Sequence, residues 1–395
     1  MRDVTDQLVA YAEILDGAAP PLEELSATEK PDRRRSLGFQ IQGVWALVAG
    51  AVAVLVVVGG IAALSRRTTT IAPPVDSTTA TTTFPVPEVS IDLLNPRAVT
   101  PTTFEWEHAF AGPGGLELVD GTFHMLSATY GDGVATVGYA KSTDGLVWVP
   151  GVERPVLDLS SAPWAPLEFD HALPRSLVLD ADGVWHLYFE IAWVDDFFEE
   201  SFFVRIGHAS TRDPGGLWVF DNDPALAANS DVAWMAKRVG SPSVIFEDGE
   251  FVMLFVGYGE GGGVVGRATS PDGASWTVDD APVLEPQSDW ERGEIVRVDF
   301  VRIEGGYATV FAGDTTSRRG LAVSRDGITW FPHPENPIMT TSDLPRASVF
   351  DSEFIANESG LLGFVENGGV RSEREVVVLQ VDVDLVQLLE ALAGN

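Results

Sequence analysis

A turn signature that recurs four times in the C-terminal part of the chain restricts the fold more than any other feature. The copies are Ser142-Thr-Asp144-Gly145-Leu-Val-Trp148, Ser210-Thr-Arg-Asp213-Pro-Gly-Gly-Leu-Trp218, Ser270-Pro-Asp272-Gly273-Ala-Ser-Trp276 and Ser324-Arg-Asp326-Gly327-Ile-Thr-Trp330, roughly 55 to 70 residues apart. That period marks a repeated supersecondary unit whose apolar faces are buried only against its neighbours. Each copy follows a β-like run ending in a small residue, for example Val137-Gly-Tyr-Ala140 and Val265-Gly-Arg-Ala268, so it lies in a hairpin. The chemistry suits a turn: Asp accepts from turn amides, Gly supplies positive φ, the Ser hydroxyl ties the strand end and Trp folds onto the neighbouring sheet. Asp144, Asp213, Asp272 and Asp326 are therefore read as structural.

A second element precedes each signature: Leu116 to Phe123, Leu177 to Trp185, Val244 to Phe251 and Phe300 to Tyr307, each a strand, a tight Gly turn and an aromatic-rich strand. A fifth, degenerate copy runs from Phe354 to Phe364, with a further strand at Glu375 to Val383. Four strands per unit and five units predict an all-β, five-bladed β-propeller over residues 104–395. A six-bladed closure that uses the preceding segment is the alternative. The apolar spacing from Leu385 to Leu392 predicts a closing helix.

The Ser-x-Asp-Gly-x-x-Trp turns look like the Asp-box of sialidases, and the complete unit resembles the five-bladed arabinanase, levansucrase and invertase-like glycosidases. The likeness spans about three quarters of the chain. It implies a carbohydrate ligand and acids at the starts of the innermost strands, because hydrolysis needs a base or nucleophile and a separately tuned acid. This chain departs from that pattern. Where the resemblance implies Asp-Pro on the first blade it has Gly112-Pro113; the second has Pro174-Arg175, the third Ser241-Pro242, and the fourth Arg297 and Asp299. Gly and Ser do no acid or base work and Arg stays protonated.

Asp170, Glu294 and Asp299 are the candidate catalytic acids that remain. Arg175, Arg238, Arg297 and Arg346 stand at comparable places in four blades, and a convergence of their planar forks would hold the carboxylate of an acidic sugar. The competing reading pairs each with an acid such as Asp170, Glu294, Asp299 or Asp351 and locks adjacent blades. His171 beside Asp170, and Trp193 in the inserted hairpin of blade two, are further ligand-binding candidates; that hairpin's aromatics equally suit the core. The sialidase resemblance implies a Tyr nucleophile with a Glu partner, and no such pair is identifiable. The six His residues show no metal spacing, and Gly261-Gly-Gly263-Val-Val-Gly266 joins two β-like runs rather than opening a helix. No cofactor and no metal is expected.

Residues 1–36 form a charged tail with a short amphipathic pattern (Val4, Leu8, Tyr11, Leu15), and 37–64 contain no charge, with Val44 to Leu64 almost wholly apolar. That length suits a transmembrane helix. Lys30, Arg33, Arg34 and Arg35 before it outnumber Arg66 and Arg67 after it, which places the N-terminus in the cytoplasm and the C-terminal domain outside. Residues 65–103, rich in Thr and Pro, read as a disordered stalk. From Trp106 onward there are 17 basic and 46 acidic residues, 17 − 46 = −29, which argues against nucleic acid or anionic lipid as partners. No Cys is present, so disulfides and thiol nucleophiles are excluded. The two functions these features allow are an extracytoplasmic glycosidase-like propeller that binds glycans, with or without hydrolysing them, and a protein-interaction or sensory ectodomain whose tail recruits a cytoplasmic protein.

Overall fold

The computed structural model describes residues 85–100, 112–131, 134–169, 171–195, 201–313, 317–346, 349–368 and 374–394. Their strands form five sheets, each with a four-stranded meander. The first strand of the chain is β1 (Ser90–Val99). Blade one is β2 (Gly112–Val119), β3 (Thr122–Gly131), β4 (Val134–Ser142) and β5 (Val149–Pro150), with β6 (Leu157–Asp158) also on β4. Blade two is β7 (His171–Leu179), β8 (Trp185–Asp195), β9 (Ser201–Thr211) and β10 (Val219–Phe220). Blade three is β11 (Arg238–Glu247), β12 (Glu250–Gly259), β13 (Gly262–Ser270) and β14 (Thr277–Val278). Blade four is β15 (Ile295–Ile303), β16 (Gly306–Gly313), β17 (Arg318–Ser324) and β18 (Phe331–Pro332), with β19 (Met339–Thr340) on β17. Blade five is β20 (Val349–Asn357), β21 (Gly360–Gly368) and β22 (Arg374–Asp382), followed by the helix α1 (Leu385–Ala393).

The first strands pack in a closed cycle, β2 on β7, β7 on β11, β11 on β15, β15 on β20 and β20 on β2. This is a five-bladed β-propeller, and β1 closes it. That strand is the fourth of blade five, with Ser90 opposite Asp382 and Val99 opposite Val376. The expectation of a disordered stalk through residue 103 is corrected here. The segment that a sixth blade would have used instead completes the fifth, because an outermost strand with Ile91 half-buried and Ala98 and Val99 buried offers the sheet a partner for β22. Pro96 is tolerated since β1 is an edge strand and its register breaks between Asn95 and Val99. Among the described residues no helix is long and apolar enough to cross a membrane; the apolar run and the cytoplasmic tail lie outside the described residues.

Antiparallel meanders put the turns between first and second strands, and between third and fourth, on one face, and the starts of the inner strands on the other. The repeated signature lies on the first of these faces. Asp144 accepts from the amides of Leu146 and Val147 at 2.8 and 2.9 Å, the Ser142 hydroxyl donates to Asp144, and Trp148 Nε1 donates to the Gly145 carbonyl at 2.9 Å. Gly145 has φ 73°. Asp272 and Asp326 accept from their two turn amides in the same way, and Asp213 keeps one such bond, to the Gly215 amide.

On the opposite face, which we call the mouth, a second recurring device joins the blades. Trp164, Trp234 and Trp290, each in a connection between blades, pack on Phe189, Phe255 and Phe311 of the following second strands, with ring centroids 5.9, 5.7 and 5.5 Å apart. A glycine of the third strand makes room in each case: a Cβ on Gly207, Gly266 or Gly320 would lie 2.3–2.8 Å from those rings. The core is divided among the seams between blades, where alternate residues of each sheet meet those of the next.

Candidate functional site: a buried charge network at the propeller axis

Every inner strand breaks register near its mouth end: between Pro113 and Leu116, Pro174 and Ser176, Gly240 and Ser243, Ile295 and Arg297, and Val349 and Ser352. A bulge inserts a residue and re-aims side chains. The serines just past three of these bulges tie neighbouring inner strands. Ser176 accepts from the Val244 amide at 3.0 Å, Ser243 from the Phe300 amide at 2.8 Å, and Ser352 donates to Asp299 at 2.8 Å. Blade one contributes no polar side chain there. Its Gly114 is required because a Cβ would lie 2.2 Å from Pro174.

The bulge residues of blades two and five are Arg175 and Asp351, and they meet. Arg175 Nη1 donates to Asp351 Oδ1 at 2.5 Å, while Nη2 is bonded to Glu190 of β8. The Arg297 guanidinium lies 2.8 Å from the same Asp351 oxygen and 3.6 Å from Glu190. Glu190 also accepts from the Ser241 amide at 2.8 Å and lies 3.5 Å from His171 Nε2. The four side chains of this core are 6–18% exposed, Arg297 most. Burial alone would raise both carboxyls, but Arg175 and Arg297 hold Glu190 well below, and Asp351 below, the usual carboxylate range. The two acids in turn raise Arg175 above its ordinary value against burial.

A second tier carries carboxyls of the opposite character. Asp299 accepts from Ser352, whose hydroxyl also receives Arg319 Nε at 3.1 Å, and burial pushes Asp299 up to about 7 despite Arg319 nearby. Glu366, fully buried on β21, is pushed up to about 8 by burial, with Arg374 donating at 3.0 Å in partial opposition. Its Oε2 has no hydrogen-bond partner. Burial and the charge of Asp299 hold Glu353 well above its ordinary range.

Of the residues singled out by sequence, the axis brings together Arg175, Arg297, Asp299 and His171. The four arginines do not converge. The Arg238 guanidinium lies over the Tyr258 ring, 4.0 Å from its centroid, and Arg346 reaches Glu375 on β22. Glu294 stands against Gly262 at the β12–β13 turn, and Asp170 lies outside the described residues. Trp193 stacks on Phe203 and carries Arg205 at 5.0 Å from its centroid, so its ring serves the hairpin. Among the described residues no group of three or more His, Asp or Glu is placed to hold a metal ion.

Sequence reasoning missed Glu190, Glu366, Arg319 and Arg374. A signal existed for the acids: Glu190 follows Leu187-Tyr-Phe and Glu366 follows Gly363-Phe-Val, charges inside apolar central strands that survive burial only with partners.

No protein-family model matches the chain, and no curated protein matches it. Solved structures do, and they are glycoside hydrolases by name in several cases. One glycoside hydrolase aligns over 73% of this chain and 91% of its own, at 15% identity and TM-score 0.55. Zg3597, a family 117 glycoside hydrolase of Zobellia galactanivorans, aligns over 76% and 92%, at 14% identity and TM-score 0.51. Sucrose-6-phosphate hydrolase from Lactobacillus gasseri aligns over 76% of this chain and 61% of its own, at 13% identity and TM-score 0.54. The chain therefore has the five-bladed propeller fold that these glycoside hydrolases share. At such identities the likeness concerns the fold.

Proposed function

We propose that the propeller binds a glycan on its mouth face and that its axis is built for recognition rather than turnover. One observation carries this reading: the carboxylates of the axis, Glu190 and Asp351, are each shared by Arg175 and Arg297 and buried with them. A glycosidase needs a carboxylate free to attack or to activate water, and a second free to protonate the leaving oxygen. Blade one offers Gly112-Pro113-Gly114 instead of an acid. Of the network's core, Arg297 has the most exposed side chain, which favours a ligand bearing an acidic group.

A hydrolytic reading is favoured by Asp299. A carboxyl that keeps its proton near neutrality beside the ionised Asp351 has the two halves of an acid–base pair. Glycan-array binding, run alongside hydrolysis of sialoside and furanoside reporters, separates the two. Binding without turnover supports recognition; turnover abolished by Asp299→Asn supports hydrolysis; silence in both assays removes the glycan reading. The proposal also keeps the domain outside the cytoplasm on the 37–64 anchor, whose apolar length and basic leading flank support it. Protease protection of residues 104–395 in sealed vesicles, with the domain inaccessible from the cytoplasmic side, tests that placement.

A further inference from the structure

On the mouth edge of blade five, the ends of its strands gather charges that lie far apart in the sequence. Arg97 comes from β1, Glu375 from β22, Asn367 from β21 and Arg346 from the segment that enters β20. One oxygen of Glu375, Oε1, holds both arginines, Arg97 at 2.9 Å and Arg346 at 3.4 Å. The layering is unequal. The Glu375 side chain is 4% exposed, whereas those of Arg97 and Arg346 are 61% and 38% exposed. The acid lies underneath and the guanidinium forks lie on top, so solvent meets the cations. In a domain with 46 acids and 17 bases this local sign is opposite to that of the whole.

The forks are also held in place. Buried Asn367 clasps the backbone of Arg346 on both sides, accepting from its amide at 2.9 Å and donating to its carbonyl at 2.9 Å. The Arg97 amide donates to Asn95 at 2.9 Å. Fixed backbone and a buried carboxylate anchor reduce the ordering cost of binding. Four strands spaced about 4.8 Å apart separate β1 at the rim from β20 at the axis by about 14 Å, and at the axis Arg297 lies on Asp351.

We propose that this edge is the docking site for the oxyanion of an acidic glycan, a sugar carboxylate or sulfate, held by Arg97 and Arg346 over Glu375. The proposal rests on the glycan reading of the mouth and adds to it the place where the acidic group docks. A planar fork suits either oxyanion through paired N–H donors.

The test titrates the full chain with three probes: an oligogalacturonide, a sulfated galactan oligosaccharide and the neutral galactan oligosaccharide. At least one acidic probe binds about tenfold tighter than the neutral one, the scale of one charge-assisted hydrogen bond, and the advantage shrinks with salt. Arg97→Gln and Arg346→Gln each remove most of that advantage and leave neutral binding unchanged. Arg212→Gln, in a turn on the opposite face, changes neither. Acidic and neutral probes binding alike, or Gln variants with unaltered preference, overturn this site while the glycan reading stands. Failure of all three probes, together with a silent glycan array, brings down the glycan reading and this inference with it.

Discussion

Arg175 and Asp351 are separated by 176 residues in the chain and by 2.5 Å in the fold. They sit at the bulges of blades two and five, which are not adjacent in the ring, so the contact reaches across the axis and reports that the propeller has closed. With Arg297 on the same oxygen, Asp351 joins blades two, four and five.

Removing that carboxylate leaves two guanidinium groups buried together. Asp351→Ala is expected to cost about 3–5 kcal/mol, the scale of breaking a buried ion pair from one side. The double variant Arg175→Met, Asp351→Leu is expected to cost less than the sum of its single variants, because the uncompensated charge goes with its partner. Urea denaturation of the parent, Asp351→Ala, Arg175→Met, Asp351→Leu and the double variant checks both; strict additivity in the double variant would mean that the pair is not coupled.

The second tier predicts a pH dependence of the opposite sign to ordinary acid denaturation. Asp299 and Glu366, at about 7 and about 8, lie above the values 3.8 and 4.5 of free carboxyls. Their contribution is complete below those free values and is lost as pH rises through 7 and 8. Glu366→Gln, which keeps the shape without the charge, should therefore gain on the parent protein by on the order of 1–3 kcal/mol between pH 5 and pH 9. Thermal melts of both proteins across that range decide it, and a constant difference would refute the assignment.

The histidines of blade two behave as a pair rather than singly. His186 Nδ1 and His208 Nε2 stand 2.9 Å apart, His186 Nε2 lies 3.2 Å from Asp180, and His208 Nδ1 lies 2.8 Å from Asp221. Burial, only partly offset by the hydrogen bond to Asp180, lowers His186 from its ordinary 6.5. A lowered folded value favours the neutral ring, so its contribution is present above pH 6.5 and is lost as pH falls toward the folded value. His186→Phe is expected to destabilise by about 1–3 kcal/mol at pH 7.5, leaving His208 Nε2 and Asp180 without this partner, and by less at pH 5. Chemical denaturation at the two pH values measures the gap; a gap that widens on acidification contradicts the sign.

What the sequence made legible was local. The Ser-x-Asp-Gly-x-x-Trp turns encode their own hydrogen bonds within seven residues, and four of them with a fifth, degenerate unit pointed to the five blades observed. The role of β1 was hidden because Thr- and Pro-rich neighbours mask a short alternation, and its partner lies nearly 300 residues on, Ser90 against Asp382. The axis was half legible. Arg175 and Arg297 announced themselves by position, but a bulge decides where each points, and nothing in one strand's sequence reveals that Glu190 on another strand will be its partner. The Trp164, Trp234 and Trp290 device was missed for a related reason: its three parts, a connection Trp, a second-strand Phe and a third-strand Gly, are dispersed through each unit.

That device supplies the last prediction. Gly266 has no unusual backbone angle, so its requirement is purely one of space: a Cβ would stand 2.4 Å from Trp234 and 2.7 Å from Phe255. Overpacking a closed core costs typically about 1–3 kcal/mol. Gly266→Ala should fall in that range, and shrinking the ring it strikes, in Gly266→Ala with Trp234→Leu, should cost less than the two changes summed. Gly261→Ala, at a position where a Cβ meets nothing within 4 Å, is the matched control and should leave Tm unchanged. If Gly266→Ala and Gly261→Ala melt together, the tryptophan does not wedge the seam.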